Sequence, residues 1–345
     1  MLPWRKTFLC SIALWLLLAA PAAAQPQVTA DAAVLMDAVS GQVLWSKNGE
    51  APLPPASTCK VLTAILALDM AEMTEETVIS AKAAAVGESS IYLRAGESLT
   101  LQDLLYGALL RSGNDACYAI GEQIAGTEPL FVHWLNIKAQ TLGAFTANYQ
   151  NTNGLPAEDH VISAADLAAV TRYALADAEF AQIVGTRYAD IGSGGSARSL
   201  TNTNKLLWRD DAIIGVKTGT TNAAGNCLVA AREDADSRLI SVVFHSADRY
   251  GDSMALLNWG AENYRSLQLF AAGDTVAAVP HQGSMLRLQA ASAAAVCCAR
   301  DEQPRLRWSI CLPADPQPGD AAGVAEVLAQ DGTPLISVPL LVAGP

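Results

Sequence analysis

The chain has 345 residues, 51% of them apolar and 16% charged, and an acidic excess gives it a formal net charge of −12. Those proportions belong to a globular protein long enough for two domains and exclude a disordered one. The acidic balance argues against nucleic acid as a partner, and against a surface held to anionic lipid by charge alone.

In chain order, MLPWRKTFLCSIALWLLLAAPAAAQPQ places Arg5 and Lys6 before an apolar stretch from Phe8 to Ala20, followed by Ala22, Ala23 and Ala24. A basic start, a short apolar segment and small residues at its end are the layout of a secretory leader, with cleavage expected after Ala24. The apolar stretch is short for a membrane span. Residues 33–46, AVLMDAVSGQVLWS, read as two strands around a turn at Ser40-Gly41. From Pro52 to Met70 the sequence is PLPPASTCKVLTAILALDM, where a proline pair and Ser57 mark a helix start. Val61 to Met70 is apolar on nearly every side, so that helix should be buried. Ser57 and Lys60, three apart, would then be neighbours on one face.

SLTLQDLLYGALLRSGNDACYAIGEQIAG reads as a helix capped by Thr100, with Asp103 as its capping-box partner, broken at Ser112-Gly113-Asn114 and followed by a second helix. Ser163 caps another helix in SAADLAAVTRYALAD. After a glycine-rich loop at 192–195, AIIGVKTGT, NCLVAAR and RLISVVFHS read as three adjacent strands, and SMALLNWGAENYRSLQL as a closing helix. Near Ala271-Ala272-Gly273 the character changes to short alternating runs such as SMLRLQA and RLRWSICL, with a hairpin signal at Asp331-Gly332. The expected organisation is a leader over 1–24, a larger mixed domain over 25–272 and a small all-β domain over 273–345.

His133, His160, His245 and His281 are scattered and the cysteines form no C-x-x-C, so no metal or other cofactor is expected. Past the leader lie Cys59, Cys117, Cys227, Cys297, Cys298 and Cys311. Export permits disulfides, but buried free thiols are the default for a domain of this size, and Cys297 or Cys298 with Cys311 is the pairing to check.

Three short motifs stand out: Ser57-Thr58-Cys59-Lys60, Ser112-Gly113-Asn114 and Lys217-Thr218-Gly219. Alone, each has a plain reading: a capping serine with a lysine reaching solvent, a helix-breaking turn, and a strand end. Together, on a helix start, an inter-helix turn and a strand, they match the active-site set of penicillin-recognising serine enzymes. An alcohol is a weak nucleophile at neutral pH and needs an adjacent base. Lys60 can serve only when neutral, which requires its pKa to fall by roughly 3 units, or about 4 kcal/mol. Burial and repulsion from Lys217 both act in that direction. Ser112 is placed to pass the proton to the leaving amine, and Asn114 to hold Lys60 or the substrate amide. Gly219 lets substrate backbone lie along the strand edge. Backbone N–H groups of Ser57 and Thr220 are candidates for an oxyanion hole.

The sequence resembles the serine-type D-Ala-D-Ala carboxypeptidases, the low-molecular-weight penicillin-binding proteins of the peptidase S11 family. Family-like stretches include LMDAVSGQVLW, PASTCK, LLRSGNDA, NTNGLPAEDHVISAADLA, GVKTGTTNAAGNCLVAA and DRYGDSMALLNWG, and the likeness covers roughly residues 30–345. It implies an α/β (α+β) DD-peptidase/β-lactamase-like catalytic domain, an antiparallel sheet flanked by helices, followed by a small all-β C-terminal domain. It also implies removal of the terminal D-alanine from peptidoglycan stem pentapeptides through an acyl-Ser57 intermediate, with β-lactam antibiotics as acylating inhibitors. Arg249 in ADRYGD matches a family arginine and, with Thr218 and Thr220, would bind the terminal carboxylate.

The sequence departs from the pattern at Asn153, where many relatives carry histidine, and at Thr220, where some do. Cys59 and Cys117 flank the motifs, and a thiol reagent on Cys117 is expected to inhibit by crowding. Relatives often end in an amphipathic membrane-binding helix; here PLLVAGP shows no such anchor. The expectation is therefore an exported monomer. Two rivals remain. A β-lactamase-like hydrolase would need a carboxylate to activate the deacylating water, and the class A glutamate-to-asparagine spacing is missing. A non-catalytic wall-binding scaffold would have no need of Ser57, Lys60, Ser112 and Lys217 together.

Overall fold

The computed structural model describes residues 25–344; the leader and its cleavage site lie outside them. The chain opens with the antiparallel hairpin β1 (Ala32–Asp37) and β2 (Val43–Lys47), turning at Ser40-Gly41. A short 3-10 turn, Ala56–Cys59, leads into α1 (Lys60–Met70). Ser57 is therefore not the cap of the long helix but part of the tighter turn before it, where no side-chain cap bond forms.

Next come β3 (Glu76–Val78), the single turn α2 (Ala81–Ala84) and β4 (Ser98–Thr100). Then follow α3 (Leu101–Leu110), α4 (Asn114–Ala125), α5 (Glu128–Thr141), α6 (Ala164–Ala174) and α7 (Ala178–Gly185). The capping signals hold: Thr100 and Asp103 form a reciprocal capping box on α3, and the Ser163 hydroxyl accepts from the Asp166 amide on α6. The hairpin β5 (Tyr188–Ile191) and β6 (Arg198–Thr201) precedes three long strands, β7 (Ile213–Thr221), β8 (Gly225–Asp234) and β9 (Ser237–Ser246), and then α8 (Arg249–Asn263).

These strands make one antiparallel sheet in the order β2-β1-β9-β8-β7. Side chains alternate between its faces. Val34, Val229, Val242 and Phe244 face a core shared with α1, α3, α4 and α6, whereas Leu35, Leu228, Leu239 and Val243 face α8 through Leu256 and Leu257. Both faces are covered, which is why β1 is buried at every position and its sequence, AAVLMD, shows little alternation. Helix α1 lies inside the helical layer with its first eight residues buried, as its all-round apolar surface requires.

Helix α8 stops at Asn263 rather than running on through Leu269. Tyr264 turns to extended backbone, and β10 (Tyr264–Phe270) pairs antiparallel with β13 (Ala294–Ala299). The alternation in YRSLQLF belongs to a strand, and cross-strand partners far along the chain decide it. The strands β11 (Thr275–His281), β12 (Ser284–Ala290), β14 (Arg305–Ile310), β15 (Ala321–Leu328) and β16 (Pro334–Val342) form a second antiparallel sheet, β11-β12-β16-β15-β14. The division drawn from composition at 272/273 thus falls just after β10. Its core is small, centred on Leu288, Ala325, Val338 and Leu340. All six cysteines among the described residues are free, and Cys311 is exposed while Cys297 and Cys298 are buried.

Candidate active site

Three elements converge at the β7 edge of the main sheet: the 3-10 turn carrying Ser57, the α3–α4 turn carrying Ser112, and the strand carrying Lys217 to Thr220. They enclose a cleft of about 310 Å³ whose lining includes Ser57, Ser112, Thr218, Gly219, Thr220 and Arg249. Lys60, Asn114 and Lys217 lie buried beneath it. All nine residues singled out in the sequence are therefore in one place.

Close approach depends on two glycines. A Cβ on Gly219 would sit 3.0 Å from the Ser57 amide nitrogen, so the bare backbone lets β7 press against the turn carrying Ser57. Gly154, at φ +86°, has the Ala56 carbonyl oxygen only 2.0 Å from where a Cβ would stand. Ala56 and Ser112 themselves occupy the left-handed region, at φ 48° and 63°. Such strain in non-glycine residues costs on the order of 1–3 kcal/mol and concentrates at functional sites.

Lys60 Nζ is the hub. Nζ lies 2.7 Å from Ser57 Oγ and 2.8 Å from Asn114 Oδ1, and it also contacts the carbonyl oxygen of Asn153. Asn114 cannot present its amide the other way round, because its Nδ2 donates to the Gly87 carbonyl at 3.0 Å. Asn114 Oδ1 and Asn153 O are acceptors only. A neutral amine has two N–H bonds and one lone pair; with both hydrogens given to these acceptors, the lone pair is left facing Ser57 Oγ.

Burial lowers the pKa of Lys60. It also lowers that of Lys217 well below the ordinary lysine range, and there the nearby Lys60 charge adds to the effect. Lys217 Nζ donates to the Thr218 carbonyl at 3.0 Å. Burial likewise pushes the Cys59 thiol up to about 12 and that of Cys117 to about 11, so both stay protonated. Cys117 is fully buried as well, which removes the basis for expecting a thiol reagent to reach it.

On the β7 side, Arg249 Nη1 donates to the Gly219 carbonyl at 2.9 Å and to Thr220 Oγ1 at 2.8 Å. Thr218 Oγ1 lies 2.8 Å from Thr203 Oγ1. Because β7 ends the sheet, its outer backbone groups are open to an extended peptide.

Two supports carried no readable signal. The Asn153 contact is made by its backbone oxygen, while its side chain caps its own loop through the Leu155 amide at 3.0 Å. The contact with Lys60 therefore does not depend on which side chain stands at position 153. Asp115 is the second: fully buried, its carboxylate accepts from Ser90 Oγ and from the amides of Ile91, Leu93 and Ala116. This pins the 87–93 loop, which supplies the Gly87 carbonyl that orients Asn114.

A fold of this kind is shared widely among solved structures. The sequence profile of the peptidase S11 family, described as D-alanyl-D-alanine carboxypeptidase, matches residues 19–248. Among curated relatives, D-alanyl-D-alanine carboxypeptidase DacF of Bacillus subtilis is 35% identical over 260 residues, covering 72% of this chain and 67% of its own length. DacB2 of Mycobacterium tuberculosis is 34% identical over 243 residues, covering 68% of this chain and 83% of its own. Among solved structures, penicillin binding protein 5 from Haemophilus influenzae superposes with a TM-score of 0.83 at 26% identity, covering 94% of this chain and 99% of that one. The chain belongs to the D-alanyl-D-alanine carboxypeptidase family, peptidase S11.

Proposed function

We propose that the protein is a serine D-Ala-D-Ala carboxypeptidase in which Ser57 is the nucleophile and Lys60, as the neutral amine, its general base. The observation that carries this is the Lys60 contact set: Asn114 Oδ1 and the Asn153 carbonyl oxygen, both acceptors only, lie against Nζ, and Ser57 Oγ stands 2.7 Å from it. Ser57 attacks the penultimate D-alanyl carbonyl as Lys60 takes its proton. Amides of Ser57 and Thr220 hold the oxyanion; losing one such donor typically costs about 100- to 1000-fold in rate. Ser112 relays the proton to the leaving amine, and water then hydrolyses the acyl-Ser57 ester. Arg249, Thr218 and Thr220 seat the substrate's terminal carboxylate, while Gly219 leaves room for substrate backbone along β7. Asn114 serves chiefly to orient Lys60, since both ends of its amide are already engaged within the protein.

Stem peptides of peptidoglycan are the proposed substrates and β-lactams the acylating inhibitors. We place the enzyme outside the cytoplasm after cleavage near Ala24. No helix among the described residues is long and apolar enough to cross a membrane. The chain is proposed to divide into a catalytic unit and a small β unit joined through β10. D-alanine release from a pentapeptide ending in D-Ala-D-Ala, with wild type beside Ser57→Ala, tests the reading. Release and covalent penicillin labelling by the wild type alone are expected; release by both would remove Ser57 from the mechanism.

A further inference from the structure

The hairpin β5–β6 turns one face inward, burying Ile191 and Leu200, and the other to solvent. Residues two apart in a strand share a face, and Tyr188 stands opposite Thr201 and Asp190 opposite Ser199, so these four side chains form the outer face. All four are exposed, Tyr188 by 65%. Trp208, from the 3-10 turn Lys205–Trp208, packs edge-to-face against Tyr188, with ring centroids 5.8 Å apart and planes at 74°, and is itself 41% exposed. Two adjoining rings open to water are more than a single scattered apolar side chain, and their surroundings define what would cover them. The flanking groups are the hydroxyls of Ser199 and Thr201 and the carboxylate of Asp190, which accepts from Ser199 Oγ at 2.6 Å. Arg187, next to Tyr188 in the chain, is already paired with Asp211 at 2.7 Å. The patch thus offers ring faces to C–H groups beside oxygen atoms for O–H groups, and a sugar ring carries both. A surface built to receive another protein's apolar core would have aliphatic side chains in place of Asp190, Ser199 and Thr201.

The patch lies within reach of the cleft. Thr203 lines the cleft, and Trp208 follows it by five residues, most of them in the 3-10 turn, which rises about 2 Å per residue. The rings therefore stand on the order of 10–15 Å from the cleft wall. A stem of five residues, fully extended, spans about 17 Å. A stem seated at Ser57 can thus bring the sugar that carries it to Tyr188 and Trp208. We infer that the outer face of β5–β6, with Trp208, is a platform for the glycan strand of the wall polymer, so that the enzyme holds the strand while Ser57 works on its stems. The inference rests on the reading that wall stem peptides are the substrate. Stacking of one sugar on two rings is weak alone, but the seated stem tethers the strand nearby and makes the second contact intramolecular, which is where a weak contact counts most.

The test uses the same pentapeptide ending in D-Ala-D-Ala in two forms, free and borne on soluble, uncross-linked glycan strands, with wild type, the double variant Tyr188→Ala with Trp208→Ala, and Trp208→Phe. Stoichiometric labelling by penicillin certifies that each variant is folded. The wild type is expected to show a KM roughly tenfold lower on the strand-borne stem than on the free one, as contacts to two rings would give. The double variant should bring the two KM values together while keeping kcat/KM on the free peptide within about twofold. Trp208→Phe, which keeps a ring, should retain most of the preference. Equal KM values for the wild type, or a preference that survives in the double variant, would overturn the inference and leave the patch to a partner protein. Peptide-free glycan strands give a readout independent of catalysis: in affinity electrophoresis they should retard the wild type and not the double variant. Should the wild type neither release D-alanine nor label with penicillin, the Ser57 reading falls; retardation by peptide-free strands would still support the platform, and its absence would overturn it.

Discussion

Around Ser57, Lys60 and Lys217 lie fully buried with no carboxylate paired to either among the described residues, whereas in the C-terminal sheet Arg307 lies on the surface and pairs with Glu326 across β14 and β15. The first arrangement costs stability, since a buried amine must be held by hydrogen bonds or give up its charge. The second costs almost nothing and contributes little. The surroundings differ in the same sense. The turn carrying Ser57 is packed on α1, buried over its first eight residues, whereas β14 has every residue exposed and relies on its partner strand. The site is thus a strained, desolvated arrangement that the large core sustains, and the C-terminal sheet is an ordinary folded unit with its charges outside.

Lys60→Met should show the largest effect, because it removes the proposed base and leaves the buried site otherwise filled. Penicillin acylation is expected to fall by roughly 100- to 10,000-fold, the usual contribution of general base catalysis. Stopped-flow or quenched labelling measures it, and an acylation rate within threefold of wild type would break the contrast between the two regions. Leu340→Ala probes the other side. It should destabilise the C-terminal sheet by about 2–5 kcal/mol, as core leucine truncations do, without changing the acylation rate of folded molecules. A coupled loss of rate would mean that the sheet supports the cleft.

A smaller effect is expected from His160, buried beneath the site with no partner for Nε2 among the described residues. Burial, with help from the Lys60 charge, pushes its pKa down to about 4. The unfolded chain binds this proton near pH 6.5 and the folded protein does not, so stability should decline as pH falls from about 6.5 to 4 and not beyond on this account. The full effect is about 3 kcal/mol. Urea unfolding at several pH values measures it, and His160→Gln should flatten the slope in that window.

Much of this was readable beforehand because it depends on side chains with local rules. The capping pairs at Thr100 and Ser163, the hairpin at Ser40-Gly41 and the apolar runs of β7, β8 and β9 follow from periodicity and turn chemistry. The three motifs named the cleft for the same reason, since each supplies a chemically distinctive side chain. What escaped depends on backbone geometry or on distant partners. Asn153 acts through its carbonyl, Gly154 through space, and Asp115 by gathering amides some twenty residues upstream in the chain. The end of α8 escaped because β13, thirty residues on, claims Tyr264–Phe270 as a strand.

The pH dependence of the second-order rate of penicillin acylation bears most directly on the central claim. If Ser57 is activated by a neutral Lys60 held between Asn114 and Asn153, the rate should rise with pH and level off at an apparent pKa, belonging to the Lys60–Lys217 pair, that lies below the ordinary lysine value of 10.5. A rate that stays low until the pH reaches that ordinary value would contradict the account.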